Sequence, residues 1–376
     1  MQNVAVAQKT PKPRKKDDPN RHPQDIIDEF WKKITTQNPG KPFTVLPENQ
    51  YSKRAAQDSP RKAAASQNAA TSYDRAAGEC KAKVEKIAKS CRSRNQKYTD
   101  PHFDMGLDLQ ERTTKDTLTT LEPVDKKDSI DNSAPKSVKR VEDIFVEPHF
   151  WGDSTTTDDV CQGTLGNCWF MSALSTLCNN KAFLEKVCVA RDEKVGVYGF
   201  VFFRDGEWIS EVIDDKLYLS KPDWHDTDRE CYDWLEVKMK HPEKEYRKVM
   251  QTGSKALYFA KCKDQNTTWL PLLEKAYAKA HGDYGALCGG QAGEALEDLT
   301  GGIPSHLCPT DVLDKNRFWV EELMNANKTF LFALSQLTGI HEERNGIYNG
   351  HCYSIMEARE LDNFRLLKIR YENVPK

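Results

Sequence analysis

Phe170, Ala173, Leu174, Leu177 and Cys178 fall at i, i+3, i+4, i+7 and i+8, the apolar stripe of a helix packed on a core. The spacing predicts a helix that begins beside Cys168. A second stripe, Cys80, Val84, Ile87 and Cys91, predicts a helix over about 76–97 whose apolar face requires a partner surface. Around Leu270 the run "WLPLLEKAYAKAHGDYGAL" is helical, with Leu273, Ala276, Tyr277 and Ala280 on one side. Between these, "VYGFVFF" and "WISEVIDDKLYL" read as strands joined at Asp205-Gly206, a hairpin signal. Gly289, Gly290, Gly301 and Gly302 mark a domain joint. From Thr329 onward the pattern is that of strands: "TFLFALSQL", "GHCYSIMEAREL", a turn at Asp362-Asn363, and "FRLLKIR". No internal repeat is present.

Other stretches lack periodicity. Residues 1–139 read as a basic arm, mostly disordered, with one more short amphipathic helix near 24–34, "QDIIDEFWKKI". Residues 1–100 carry 21 Lys/Arg against 11 Asp/Glu, which leaves 34 against 46 for the remainder, so a basic arm precedes an acidic body. The cluster "KPRKK" (Lys12 to Lys16) reads as part of a solvated tail, and no nucleic-acid partner is expected. The Asp214-Asp215 pair reads as a solvated strand end rather than a metal site.

No apolar run reaches the roughly 20 residues that span a bilayer, and the first residues lack the apolar segment of a secretory signal. A cytoplasmic location without a membrane span is expected. The 11 cysteines, odd in number and without zinc-type pairs, suit reduced thiols rather than a disulfide framework.

One cysteine stands apart. Asn167 is a preferred N-cap type, and Gly163 and Gly166 give backbone freedom for a sharp entry into the helix at Cys168. A thiol there feels the positive end of the helix dipole and the unpaired N–H groups, which stabilise its thiolate. Acyl transfer from an amide creates an oxyanion that needs preorganised donors. The Gln162 side chain and the Cys168 backbone N–H can supply two, and losing one such donor costs about 10²–10³ in rate. Of nine histidines, His22, His102, His225, His241 and His341 sit in polar segments and read as surface residues. His351 lies on an alternating strand after Gly350, which lets another segment or a substrate approach the backbone closely; it reads equally well as a rigid general base or as a satisfied core histidine.

The stretch Gln162 to Leu174 together with "GHCYSI" (Gly350 to Ile355) resembles the catalytic core of calpains, papain-like cysteine proteases. "RVEDIF", "EVIDDKLYL", "SKALYFAKC", "LLEKAYAKAHGDYGAL" and "EALEDLTGGI" match in the family's order, and the arm resembles the N-terminal region of fungal calpain-like proteins. The resemblance implies an α+β fold, with a helical subdomain over 140–301 bearing Cys168 and an antiparallel β subdomain over 302–376 bearing His351. It implies Cys168 as nucleophile, His351 as base and then acid, Gln162 as oxyanion donor, and protein substrates cut at extended segments. It does not fix the oligomeric state.

Two departures bear on activity. The family's third catalytic residue is an Asn after a strand like "LLKIR"; Tyr371 stands in that position, and Asn373 follows two residues later. The second subdomain is expected to be truncated, which would leave strand edges exposed. The sequence requires no cofactor. Calcium is the one to consider by resemblance, with Asp159 matching a first-subdomain ligand, but Thr267 stands where an acidic residue is expected, so calcium control is doubted. The alternative to an endopeptidase is a catalytically impaired calpain-like protein that binds partners without cleaving them.

Overall fold

A single long helix, α1 (Ala69–Arg94), takes up the stripe at Cys80 and Val84, starting and ending earlier than the spacing predicts. It stops where Asn95 turns left-handed at φ 52°. The computed structural model describes residues 69–110, 117–118, 120, 134–152, 159–226, 241–336, 343–362 and 364–371. Chain contacts divide residues 1–66 from 67–376, and all described residues belong to the second unit. The helix expected near 24–34, the Lys12 to Lys16 cluster and Asn373 lie outside the described residues.

After α1 come α2 (Met105–Gln110), β1 (Ser137–Arg140), α3 (Val141–Ile144) and β2 (Val160–Cys161). Next are α4 (Cys168–Cys178), α5 (Lys181–Val187) and the strands β3 (Cys188–Asp192), β4 (Val197–Arg204), β5 (Glu207–Asp214) and β6 (Lys216–Leu219). Then follow α6 (Pro242–Met250), β7 (Lys261–Cys262), α7 (Trp269–His281) and α8 (Ala292–Thr300). The last described strands are β8 (Ala333–Gln336), β9 (Glu343–Arg344), β10 (Ile347–Tyr348), β11 (His351–Leu361) and β12 (Phe364–Arg370).

β3, β4 and β5 form an antiparallel sheet, its hairpin turning at Asp205 (φ 52°) and Gly206 (φ 82°) as the sequence predicts. The partner that α1 requires is this sheet: Ala76, Cys80, Val84 and Ala88 are buried with Val197, Val201, Trp208 and Val212. Burying such a face is what holds a helix in water, since propensity alone rarely does. The main core lies around α4 and α7. α4 is buried on every side from Trp169 to Cys178, so its stripe understates its burial. Phe170 stacks on Tyr277 of α7 with ring centroids 4.1 Å apart and planes 3° from parallel.

The second sheet places β11 between β8 and β12, all antiparallel. The strand predicted over Thr329 to Leu337 shortens to β8. β12 pairs with β11 alone among the described residues, and Phe364 on it is 69% exposed.

The Asp214-Asp215 pair is not a solvated strand end: both carboxyls are buried. Lys275 of α7, itself fully buried, donates from Nζ to Asp214 Oδ1 at 2.5 Å and to the Asp214 and Lys216 carbonyls at 3.1 and 2.9 Å. The Asp100 and Lys216 backbone amides complete the shell of Asp214, each at 2.9 Å. Asp215 is paired with Arg140. A strand pattern cannot show this, because the cations arrive from α7 and β1.

Burial raises the Asp214 carboxyl, but Lys275 and the hydrogen bonds outweigh it and hold the group below its ordinary 3.8. A depressed folded pKa contributes stability that is present above 3.8 and lost as pH falls through the lower folded value. Lys275→Met leaves Asp214 buried without its cation. The expected loss at neutral pH is about 3–5 kcal/mol, read from denaturant midpoints. With the sign reversed by a raised carboxyl, the variant should recover part of that deficit on acidification from pH ~7 to ~5, where the parent should not gain.

Candidate active site

Residues 162–166 lead into α4 over the backbone of Tyr258 and Phe259. The Thr164 amide donates to the Tyr258 carbonyl at 3.1 Å, and a Cβ on Gly163 would lie 2.2–2.6 Å from Phe259 backbone atoms. Only glycine fits that contact, so Gly163 serves a close approach. Asn167 occupies the N-cap position, but its side chain does not cap the helix. It is buried, and its Nδ2 donates to Glu274 Oε1 at 2.8 Å.

Glu274 is the residue that the sequence reading missed. Fully buried on α7, it also accepts the Ala260 amide on Oε2 at 2.8 Å, so one carboxyl fastens both the entrance to α4 and the backbone just before β7. Burial lifts it to about 7, against the pull of its two hydrogen bonds from Ala260 and Asn167. The available signal was an acidic residue inside the otherwise apolar run "WLPLLEKAYA".

The fold brings Cys168 and His351 together. α4 and β11 are registered by a buried 2.8 Å hydrogen bond between Thr176 and Ser354. One end of that contact lies two turns along α4 from Cys168, the other three residues along β11 from His351. The half-buried Cys168 Sγ lies 3.9 Å from the Gly350 carbonyl. It also interacts with the Cys352 thiol, the Cys352 backbone amide and the His351 imidazole. Gly350 adopts a φ of 70°, which favours glycine, and no other segment of the described residues fills the space where its Cβ would lie.

These contacts pull the Cys168 thiol down from 9.0 to about 5. The Cys352 thiol hydrogen bond contributes most; the Cys352 amide and the hydrogen bond and charge of His351 add to it against burial. Cys352 is correspondingly raised, first by its hydrogen bond to Cys168 and then by burial.

His351 is half-buried, and its Nδ1 has no hydrogen-bond partner among the described residues. Its ring lies edge-on to Tyr371 (5.3 Å, 79°) and Tyr348 (6.1 Å, 84°). Tyr371 in turn packs on Tyr348 and Tyr353 at 5.5 and 5.4 Å. The position expected to hold an orienting Asn therefore does reach the histidine, and there it supplies an aromatic wall. Gln162 lies on the same approach. Its Nε2 donates one N–H to the Leu165 carbonyl at 2.7 Å, while its Oε1 is buried without a partner among the described residues. His102, His225 and His241 are exposed, and His22 and His341 lie outside the described residues.

Asp159 sits before β2, where its carbonyl accepts the Lys263 amide at 3.1 Å. Thr267 donates its hydroxyl to Asp264 at 2.9 Å and lies 3.0 Å from His149 Nε2. The described residues of the Thr267 corner thus offer one carboxylate already accepting three hydrogen bonds, beside an imidazole. That donor set does not fit calcium, which takes six to eight oxygens. No group of three or more His, Cys, Asp or Glu among the described residues is placed to hold a metal ion. Nor is any described helix long and apolar enough to cross a membrane.

Residues 113–372 match the family described as calpain family cysteine protease. The chain is 32% identical over 243 residues to the calpain-type cysteine protease DEK1 of Zea mays, covering 63% of this chain and 10% of that protein. It is 27% identical over 300 residues to calpain-5 of Caenorhabditis elegans, covering 74% of this chain and 38% of the relative. With human calpain-12 it shares 28% over 300 residues, 76% of this chain and 35% of the relative. The chain thus spans between a tenth and about two fifths of these relatives. The order of elements, the thiol opposite the histidine and the family match agree: this chain belongs to the calpain family of cysteine proteases.

Proposed function

We propose that the chain acts as a calpain-type cysteine endopeptidase that makes limited cuts in extended segments of other proteins. One observation carries the reading: a thiol lowered to about 5 at the first turn of α4, in contact with an imidazole from β11. Cys168 attacks the peptide carbonyl as a thiolate. The developing oxyanion is met by the Cys168 backbone N–H and by the second Nε2 hydrogen of Gln162, the first being committed to Leu165. His351 gives a proton to the departing amine and then takes one from the water that hydrolyses the thioester. No step uses a metal, and calcium at Asp159 is not part of the reading. No disulfide links the ten described cysteines, which suits a reducing cytoplasmic setting.

Removing the orienting Asn of the family need not abolish this chemistry, because the Tyr348 and Tyr371 rings confine the imidazole from two sides. The competing reading is a binding module that does not cleave.

Alkylation by iodoacetamide separates the two at the level of the thiol. A lowered pKa means that the reactive thiolate is present above about 5 and lost below it. The Cys168 labelling rate should therefore be flat from pH ~6 to ~8 and fall by half near 5. A rate that climbs toward pH 9, like that of a free thiol, removes the activated nucleophile.

Cleavage of an unfolded protein substrate by the full chain tests the reaction itself. Cys168→Ser should abolish it, His351→Ala should lower kcat/KM by roughly 10²–10⁴, and Gln162→Ala by roughly 10²–10³. Normal labelling of Cys168 without any cleavage by the parent would favour the binding module.

A further inference from the structure

The Cys168 N–H belongs to the peptide unit that joins it to Asn167. Its direction is therefore set by the Asn167 backbone, which stands at φ −109° and ψ 35°. The Asn167 carbonyl is committed to the first turn of α4, where it accepts the Phe170 and Met171 amides at 3.0 and 3.1 Å. An ordinary N-cap side chain would accept a first-turn amide as well. That of Asn167 takes none. It is drawn into the core by a 2.8 Å bond from Nδ2 to Glu274 Oε1, and its Oδ1 is buried without a partner among the described residues. Glu274 is held in turn by Oε2, which accepts the Ala260 amide at 2.8 Å, a donor fixed in the backbone. We infer that Glu274 is a positioning residue for acyl transfer: its carboxylate, acting through Asn167, aims the Cys168 N–H at the oxyanion and keeps the first turn of α4 open to it.

Only the ionised carboxyl does this with both bonds intact, because both partners are N–H donors and both oxygens must accept. A proton on the carboxyl goes to Oε1, since the Ala260 amide cannot turn round, and there it opposes the Asn167 NH₂ group. The contact then survives only if the Asn167 amide turns over and offers Oδ1. That exchanges a charge-assisted bond for a neutral one about half as strong, and it sends the NH₂ group to the place where Oδ1 now finds no partner. Asn167 is held less firmly, and the peptide plane with it.

The described surroundings give the carboxylate no cation. Leu217, Tyr218, Leu257, Phe259 and Tyr284 line one small cavity with it, from β6, the segment before β7 and the turn after α7. Burial holds both tyrosines above their ordinary 10.0, so they stay neutral where Glu274 titrates. Lys275, next on α7, is turned to Asp214, and the entrance of α4 brings Asn167 followed by the Cys168 thiolate. Burial without a counter-charge lifts Glu274 from 4.5 to about 7. The ionised, positioning form is therefore present above about 7 and lost below it, whereas the thiolate persists down to about 5.

The inference rests on the endopeptidase reading, and two rates measured on the full chain keep the two apart. Alkylation of Cys168 by iodoacetamide forms no oxyanion, so it reports the thiolate. Cleavage of a peptide without ionisable side chains reports the thiolate and the oxyanion donor together. In the parent, labelling should be flat from pH ~6 to ~8, while kcat/KM rises about tenfold over that range with its midpoint near 7. The change should fall on kcat, because the oxyanion forms after the substrate is bound. Glu274→Gln has the shape of the protonated acid: its carbonyl keeps the Ala260 amide and its NH₂ group opposes that of Asn167. It should label at the parental rate, cleave about tenfold more slowly at pH ~8, and lose the rise between pH ~6 and ~8.

A parental kcat/KM that stays flat down to pH ~6 and falls only with labelling near 5 overturns this inference alone, and needs no variant. A Glu274→Gln chain that labels normally and keeps the limb near 7 does the same. If Glu274→Gln loses parental labelling, the site has come apart and the parental profile decides. Normal labelling without any cleavage by the parent overturns the endopeptidase reading and this inference with it.

Discussion

A sulfur at position 168 meets an imidazole at position 351 only because α4 is pinned to two other parts of the fold. At its entrance the buried Glu274 carboxyl holds Asn167 and the Ala260 amide; two turns on, Thr176 is bonded to Ser354 of β11. The first contact fixes the direction of the helix terminus, and the second fixes the register of the histidine strand against it. Catalytic geometry tolerates errors of about half an ångström, so anchors of this kind decide whether the site exists. Everything chemical at Cys168 follows from them.

The anchors share a physical character. Each is a polar group buried inside an apolar core and bonded to partners distant in sequence, as the Lys275 and Asp214 pair is in the same region. Such contacts add less net stability than the burial around them, since desolvation offsets most of their attraction. They do penalise alternative packings, because any displacement leaves a buried group unsatisfied. Phe170 stacked on Tyr277 supplies cohesion between α4 and α7, and Glu274 on the same helix supplies direction.

Around the histidine the structure departs from a hydrogen-bonded orienter. Tyr371 stands edge-on to the ring and is itself backed by Tyr348 and Tyr353, whose hydroxyl accepts the Tyr348 amide at 2.7 Å. Edge-to-face aromatic contacts are worth about 0.5–1.5 kcal/mol beyond burial, enough to restrict ring rotation, though they do not polarise the N–H as an amide oxygen does. The imidazole is thus held by shape.

The sequence by itself determined the local elements and the chemistry-bearing residues. The stripe from Phe170 to Cys178 specified α4, Asp205-Gly206 specified the hairpin, and Cys168, Gln162 and His351 were distinguished by residue type and setting. Those signals are legible because helix and strand periods and turn chemistry act over a few residues. Only the tertiary structure decided what faces them. Asn167 has the composition of a cap but serves Glu274, the Asp214 and Asp215 carboxyls are buried against Lys275 and Arg140, and α1 spends its apolar face on β3–β5. Satisfaction of a buried polar group depends on which distant element arrives beside it, and no spacing along the chain encodes that arrival.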